Sequence, residues 1–238
     1  MSMKVGDIMI IKGLLKTSLL DYPDKIATTI FVGGCNFKCP FCHNGDLVIA
    51  SNKLKTYTEY EVFEHIEKRK NILDGICITG GEPTMYDDLP IFIEKIKKYG
   101  LPIKLDTNGT NPDMIKELLN KNYLDYIAMD IKNSEDKYSL STGVKMNDIS
   151  KIDNSIKLLI NSNIDYEFRT TVVRELHNEE DFHKIGEWIS GAKRYFLQQF
   201  VKSDKQIKYG FSSYEKQELL KFSDILKNYV KEVSVRGI

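Results

Sequence analysis

The run Ala27-Thr28-Thr29-Ile30-Phe31-Val32, followed at once by Gly33-Gly34-Cys35-Asn36-Phe37-Lys38-Cys39-Pro40-Phe41-Cys42-His43-Asn44, decides how this chain is read. A short β-branched apolar run stopped by two glycines is a buried strand. Three cysteines within the next eight residues are badly placed for a disulfide framework and read instead as a metal-ligand loop at the strand's C-terminal end. Three thiolates can each hold one iron of a cubane cluster and leave the fourth iron without a protein ligand. The same thiolates with His43 would make a tetrahedral Cys3His zinc site. His43 directly follows Cys42, which is awkward for closing such a site, and zinc knuckles draw their ligands from two separated pairs; the spacing leans to iron and leaves zinc open.

Outward from this stretch the chain alternates short β-rich runs with longer amphipathic ones. Strands are expected at Ala27 to Val32, Gly75 to Thr79, Pro102 to Asp106, Tyr126 to Asp130, Tyr166 to Val172 and Arg194 to Phe200. Thr58-Glu59-Tyr60-Glu61 reads as a capping box before a helix to about Lys70, and Asn111-Pro112 as a cap with proline at the first helical position. Further helices are expected at Leu89 to Lys98, Ile149 to Asn161, Glu179 to Ser190 and Tyr214 to Lys231, the last followed by a short strand at Val233 to Val235. No linker or repeat divides the chain, so residues 1–238 read as one domain. A full eight-unit barrel takes ~250 residues. Six βα units with short N- and C-terminal additions therefore imply an α/β fold of the open, partial (βα)6 barrel kind, with its chemistry at the C-terminal ends of the strands.

Composition narrows the function classes. The 238 residues are 42% hydrophobic and 29% charged, as in ordinary globular proteins. Thirty-four Lys plus Arg balance thirty-four Asp plus Glu, so no global field favours nucleic acid. The longest uncharged stretch, Ile26 to Phe37, is far short of the ~20 residues of a membrane helix. No secretory signal is legible at the N-terminus, and a cytoplasmic protein is expected.

Three more strand ends carry polar residues: Thr79-Gly80-Gly81-Glu82-Pro83, Asp106-Thr107-Asn108-Gly109 and Met129-Asp130-Ile131-Lys132. A Gly-Gly pair after a strand is commonly just a βα turn, and single acids there are commonly caps or solvated charges. Two glycines also let a ligand approach the backbone closely, and a neighbouring carboxylate can accept from an ammonium group. Four consecutive strands ending in groups able to hold a small zwitterion fit an active-site rim. By contrast, Cys77 reads as a buried core thiol, Trp188 as a core contact, His177 and His183 as surface residues, and the runs Lys68 to Lys70 and Lys95 to Lys98 as solvated helix faces.

The Cys-x3-Cys-x2-Cys loop with an aromatic before its last cysteine, followed by a Gly-Gly-Glu-Pro turn, resembles the radical S-adenosylmethionine superfamily over most of the chain. Asp21-Tyr22-Pro23 ahead of the first strand, the Gly33 to Asn44 loop and the terminal Val235-Arg236-Gly237-Ile238 resemble more closely the glycyl-radical enzyme activating family, in particular the activating proteins of anaerobic ribonucleoside-triphosphate reductase. The resemblance implies that Cys35, Cys39 and Cys42 hold a [4Fe-4S] cluster whose open iron is chelated by S-adenosylmethionine. Phe41 and the backbone around His43 would lie against the adenine. Gly80, Gly81 and Glu82 would receive the methionine amino group, and Asp106, Asp130 and Lys132 would position the amino, ribose and carboxylate groups, with Arg169 a basic group facing the site. In relatives the two acids also help hold a monovalent cation. The implied activity is reductive cleavage of S-adenosylmethionine to a 5′-deoxyadenosyl radical, which takes a hydrogen from a glycine of a partner enzyme. The implied partners are that glycyl-radical enzyme and a one-electron donor such as flavodoxin or ferredoxin.

Two departures stand out. Activating enzymes usually read Asp-x-Pro-Gly before the first strand, where this chain has Asp24 in place of the glycine. Pyruvate formate-lyase activases carry a histidine after the sixth strand, where this chain has Gln198-Gln199-Phe200, which argues against pyruvate formate-lyase as the partner. The alternatives are a small-molecule enzyme of the same superfamily, such as a 7-carboxy-7-deazaguanine synthase, and a non-catalytic zinc-binding interaction module. An open barrel leaves a lateral gap, and the turn at Asp21 to Asp24 and the loop Val201 to Tyr209 are expected to border it and admit the partner.

Overall fold

The computed structural model describes residues 9–238. Eight strands form one sheet in the order of the chain: β1 (Ile11–Ser18), β2 (Ala27–Val32), β3 (Gly75–Gly80), β4 (Ile103–Thr107), β5 (Tyr126–Asp130), β6 (Asp165–Val172), β7 (Arg194–Gln199) and β8 (Glu232–Arg236). β1 pairs antiparallel with β2, and every later pair is parallel. Among the described residues β1 and β8 do not pair with each other, so the sheet is an open partial barrel. Its six central units are those expected from the sequence.

Each parallel crossover carries helix. α1 (Gly45–Ile49) and α2 (Glu59–Arg69) follow β2, α3 (Leu89–Lys97) follows β3 and α4 (Pro112–Asn120) follows β4. α5 (Tyr138–Thr142) and α6 (Ser150–Ile160) follow β5, α7 (Glu179–Trp188) follows β6, and α8 (Lys216–Leu226) follows β7. The local reasons are those of the sequence. Thr58 Oγ1 accepts from Glu61 N at 3.2 Å while Glu61 Oε2 accepts from Thr58 N at 2.8 Å, closing the capping box, and Asn111 Oδ1 accepts from Met114 N at 3.2 Å. α8 is shorter than expected. It stops at Leu226 because Asn228 and Tyr229 turn the chain, with Asn228 Nδ2 donating to Ile225 O and the Tyr229 carbonyl accepting from Gly191 N.

The parallel strands alternate between two environments. Ile30 and Val32, Ile76 and Ile78, Ile103 and Leu105, Ile127 and Met129, Tyr166 and Phe168, and Tyr195 and Leu197 are all buried in one core with the apolar stripes of the helices. Burying each such side chain contributes roughly 1.5–3 kcal/mol. The intervening positions face the inside of the curved sheet and are largely polar: Thr79, Asp106, Asp130, Arg169, Thr171 and Gln198 line one cavity. A buried parallel sheet normally reads apolar on both faces. Here one face is apolar and the other is available for chemistry.

No helix among the described residues is long and apolar enough to cross a membrane. The register also separates two segments expected to border one gap. Ser18 pairs with Ala27, the first residue of β2, so the Asp21 to Asp24 turn lies at the N-terminal ends of the parallel strands, whereas Val201 to Tyr209 follows the C-terminal end of β7. Asp24 takes a left-handed φ of 58°, the conformation that the glycine of the usual motif adopts freely.

Candidate active site

All twelve residues singled out in the sequence line a single cavity of about 410 Å³ at the C-terminal ends of β2 to β7. That volume is within the range of small-ligand sites. Cys35, Cys39 and Cys42 come from the loop after β2, and their burial pushes all three thiols up, Cys39 to about 11. The Lys132 ammonium opposes that rise at each thiol. The Cys35 sulfur accepts from Phe37 N at 3.3 Å and lies 3.8 Å from Asn108 Nδ2. Three thiols facing one cavity, Cys39 buried and Cys35 and Cys42 half-buried, with donors aimed at a sulfur and a lysine in front of them, fit an anionic sulfur-ligated cluster.

The zinc alternative fares worse. His43 Nε2 lies 2.6 Å from the Val201 carbonyl, so its ring is engaged with the loop after β7, and it is tilted against Phe200 at 5.9 Å. Phe41 packs edge-on to Phe211 at 6.5 Å and presents an apolar wall.

The Gly-Gly turn has a more specific cause than ligand clearance. A Cβ on Gly81 would sit 1.6 Å from the Gly34 carbonyl oxygen, and Gly80 holds φ at 117° with Val32 backbone 2.5 Å from where its Cβ would be. Gly81 N donates to Val32 O and Glu82 N to Gly34 O, both at 2.9 Å, while the Tyr86 hydroxyl donates to Gly33 O. The two glycines therefore bring the β3 turn into backbone contact with the entry to the cysteine loop.

Glu82 is fully buried. Its Oε1 accepts from Thr84 N at 3.0 Å, Thr84 Oγ1 at 2.5 Å and Thr107 Oγ1 at 2.7 Å, and its Oε2 accepts from Asn108 N at 2.6 Å. Burial raises its carboxyl above the ordinary range against the pull of these donors. The carboxylate expected to meet a ligand ammonium is thus already engaged by protein donors, and it ties the β3 turn to the β4 turn. The β4 turn is in turn clasped to the cysteine loop, since Asn108 Nδ2 donates to Asn36 Oδ1 and Asn36 Nδ2 to Thr110 Oγ1, both at 2.7 Å.

Across the cavity the charged residues form a ladder. Lys132 Nζ is 2.9 Å from Asp130 Oδ2, Arg169 Nε is 2.9 Å from Asp130 Oδ1, and an Arg169 terminal nitrogen is 3.3 Å from Asp106 Oδ2. Lys104 Nζ closes the far end on Asp106 Oδ1. Burial works to raise the Asp130 carboxyl, but the Arg169 and Lys132 cations outweigh it and hold it at about 2. Asp106 is also held below the usual carboxylate range, burial being outweighed by Arg169 and Lys104.

Sequence reasoning missed two contributors. Lys104, 2% exposed, is two residues before Asp106 on the same strand face, so period-two alternation could have placed it inside the barrel. His177 was expected on the surface and is instead 2% exposed. Its Nδ1 accepts from Val173 N at 3.1 Å and its Nε2 donates to the Lys132 carbonyl at 2.9 Å, bracing the segment that carries Lys132. Burial lowers its pKa and keeps it neutral, as one accepting and one donating nitrogen require. His183 is exposed, as expected, and Cys77 is fully buried in β3.

With the geometry in place, similarity to known proteins is specific. The family described as the Radical SAM superfamily matches over residues 29–189. A Methanocaldococcus jannaschii protein assigned by name to glycyl-radical enzyme activation is 35% identical over 237 residues, covering 96% of both chains. The pyruvate formate-lyase-activating enzyme of Clostridium pasteurianum is 27% identical over 236 residues, covering 90% of this chain and 94% of its own. Among solved structures, Streptococcus suis SuiB bound to S-adenosylmethionine superposes with a TM-score of 0.66 at 14% identity, over 86% of this chain and 48% of that one, a likeness of fold alone.

Proposed function

The chain belongs to the radical S-adenosylmethionine superfamily, and from that premise we propose that it activates a glycyl-radical enzyme, specifically an anaerobic ribonucleoside-triphosphate reductase. The superfamily is one of enzymes that use a [4Fe-4S] cluster and S-adenosylmethionine. When bound and reduced by one electron, those cofactors supply cleavage of the carbon–sulfur bond to methionine and a 5′-deoxyadenosyl radical able to abstract hydrogen from a glycine Cα. The observation that carries the reading is the convergence of the three-cysteine loop and the Lys132–Asp130–Arg169–Asp106 ladder on one cavity.

In this reading Cys35, Cys39 and Cys42 hold the cluster, and Phe41 with the His43 backbone flanks the adenine. Because Glu82 is occupied by Thr84, Thr107 and Asn108, the backbone of Gly80 and Gly81 meets the methionine amino group, and Glu82 acts by fixing that turn. Asp106 and Asp130, held ionised by their cations, face the amino and ribose groups, and Lys132 faces the carboxylate. No general acid or base is needed. The chain's work is to orient the cofactor, exclude water and admit a glycine.

One feature favours the reductase over pyruvate formate-lyase: Gln198 lines the cavity where pyruvate formate-lyase activases have a histidine nearby. The similarity to the M. jannaschii protein, over nearly the whole chain, supports activation of a glycyl-radical enzyme of either kind. The test is isotopic. Anaerobic reductase carrying deuterium on its glycine Cα is mixed with the reduced protein and S-adenosylmethionine, and the 5′-deoxyadenosine is analysed by mass spectrometry. Deuterium in that product supports the reading. Unlabelled product together with turnover of a small heterocycle moves the function to the small-molecule alternative.

A further inference from the structure

Resting on that reading, we propose that the loops wrapped around the outside of the cysteine loop form the docking face for an acidic protein that delivers one electron. Over residues 36–43, 143–149 and 201–209 the surface presents five exposed lysines, Lys38, Lys145, Lys202, Lys205 and Lys208, against two exposed acids, Asp148 and Asp204. The chain as a whole is charge-balanced at 34 to 34, so this excess is local. None of the five has an ion-pair partner among the described residues, whereas helix-borne lysines such as Lys68, Lys121 and Lys184 pair with glutamates one turn away.

The three segments are fastened to the cysteine loop through backbone. Lys208 N donates to Pro40 O and Lys38 N to Thr142 O, both at 2.8 Å. The Lys205 carbonyl lies 2.1 Å from where a Cβ on Gly45 would be, and the Lys38 carbonyl 2.2 Å from that of Gly143, so glycine is needed at both contacts. The lysines therefore ring the outer side of the loop whose inner side carries the three thiols. At the two ends of the segment that carries Lys202, Lys205 and Lys208, Val201 and Tyr209 are 57% and 72% exposed. Exposed apolar side chains beside an excess of one charge sign are the form of a weak, fast electron-transfer encounter, in which the charges set the rate of association.

Of the two protein partners the electron donor fits this face better. It needs complementary charge and nearness to the thiols, without entry into the cavity. The step is balanced: the reduced donor, a flavin or iron–sulfur protein of net negative charge, loses one electron, the cluster gains it, and no bond or proton moves.

The test uses anaerobically reconstituted holoenzyme and a reduced, net-negative flavodoxin as the probe. One variant combines Lys145→Glu, Lys205→Glu and Lys208→Glu; a control of equal charge change combines Lys98→Glu, Lys116→Glu and Lys221→Glu on distant helices. The Kd for flavodoxin at low salt should weaken at least about tenfold in the first variant, with a shallower salt dependence, and stay within about twofold in the control. S-adenosylmethionine cleavage driven by dithionite should be unchanged in both. Equal Kd values for the two variants overturn the proposal. So does a loss of glycyl-radical yield with dithionite in the first variant, which assigns the face to the glycyl-radical partner. Absence of dithionite-driven cleavage in the unsubstituted enzyme defeats the functional reading instead, and the binding comparison is unaffected by it.

Discussion

Replacing Glu82 by alanine separates a carboxylate that binds a ligand from one that assembles the site. The substitution leaves the buried N–H groups of Thr84 and Asn108 without their acceptor and strands the hydroxyls of Thr84 and Thr107. Each orphaned buried N–H costs about 1–3 kcal/mol, while the hydroxyls can rotate toward other partners. Removing a buried carboxylate also relieves part of its desolvation penalty. The balance is a loss of about 2–5 kcal/mol. At this chain length 1 kcal/mol moves Tm by roughly 2–4 °C, so melting should fall by about 5–20 °C. The assay is thermal unfolding of the cluster-free chain by circular dichroism, beside iron content after anaerobic reconstitution. Because Glu82 bridges the β3 and β4 turns, both of which touch the cysteine loop, reconstituted iron should fall as well. An alanine variant that melts within about 1 °C of the parent, keeps its iron and loses only S-adenosylmethionine affinity would refute this reasoning.

Three further outcomes follow from the same geometry. Cys35→Ala, Cys39→Ala and Cys42→Ala should each lose iron on reconstitution, whereas Cys77→Ala, buried beneath the site beside Lys104, should keep about four irons per chain by iron assay. Asp24→Gly should raise stability by about 0.5–1 kcal/mol in denaturant titration, because the native φ of 58° strains an L side chain and not glycine. Asp130 has a folded-state pKa depressed to about 2, so its contribution is fully present above the unfolded value near 4 and is lost as pH falls from about 4 through 2. Its side chain is 28% exposed and partly screened, which limits the contribution to about 1–2 kcal/mol. Acid titration of stability should therefore be flatter in Asp130→Asn than in the parent over that interval.

Much of the fold was legible because each parallel strand keeps its apolar alternate residues toward the helices, and all six central strands fall within one residue of expectation at both ends. β1 was not legible as a strand. It is an edge strand interrupted by Lys12 and Lys16, with only Ile11 and Ser18 buried, so it carries no apolar run. The short helices α1 and α5, five residues each, are too brief to show a period and are held by the loops around the cavity. The cluster loop and the acids at the strand ends were legible because their chemistry is local in sequence. Lys104 and His177 were not, because their meaning depends on Asp106, Cys77 and the Lys132 carbonyl being brought against them by folding.

The most direct test of the central claim is electron paramagnetic resonance of the anaerobically reduced protein mixed with S-adenosylmethionine and the anaerobic ribonucleotide reductase of the same organism. The account predicts a glycyl-radical doublet that requires both proteins and disappears when the reductase glycine is replaced by alanine or when Cys39 is replaced by alanine. S-adenosylmethionine cleavage at full rate with no doublet under those conditions would contradict it.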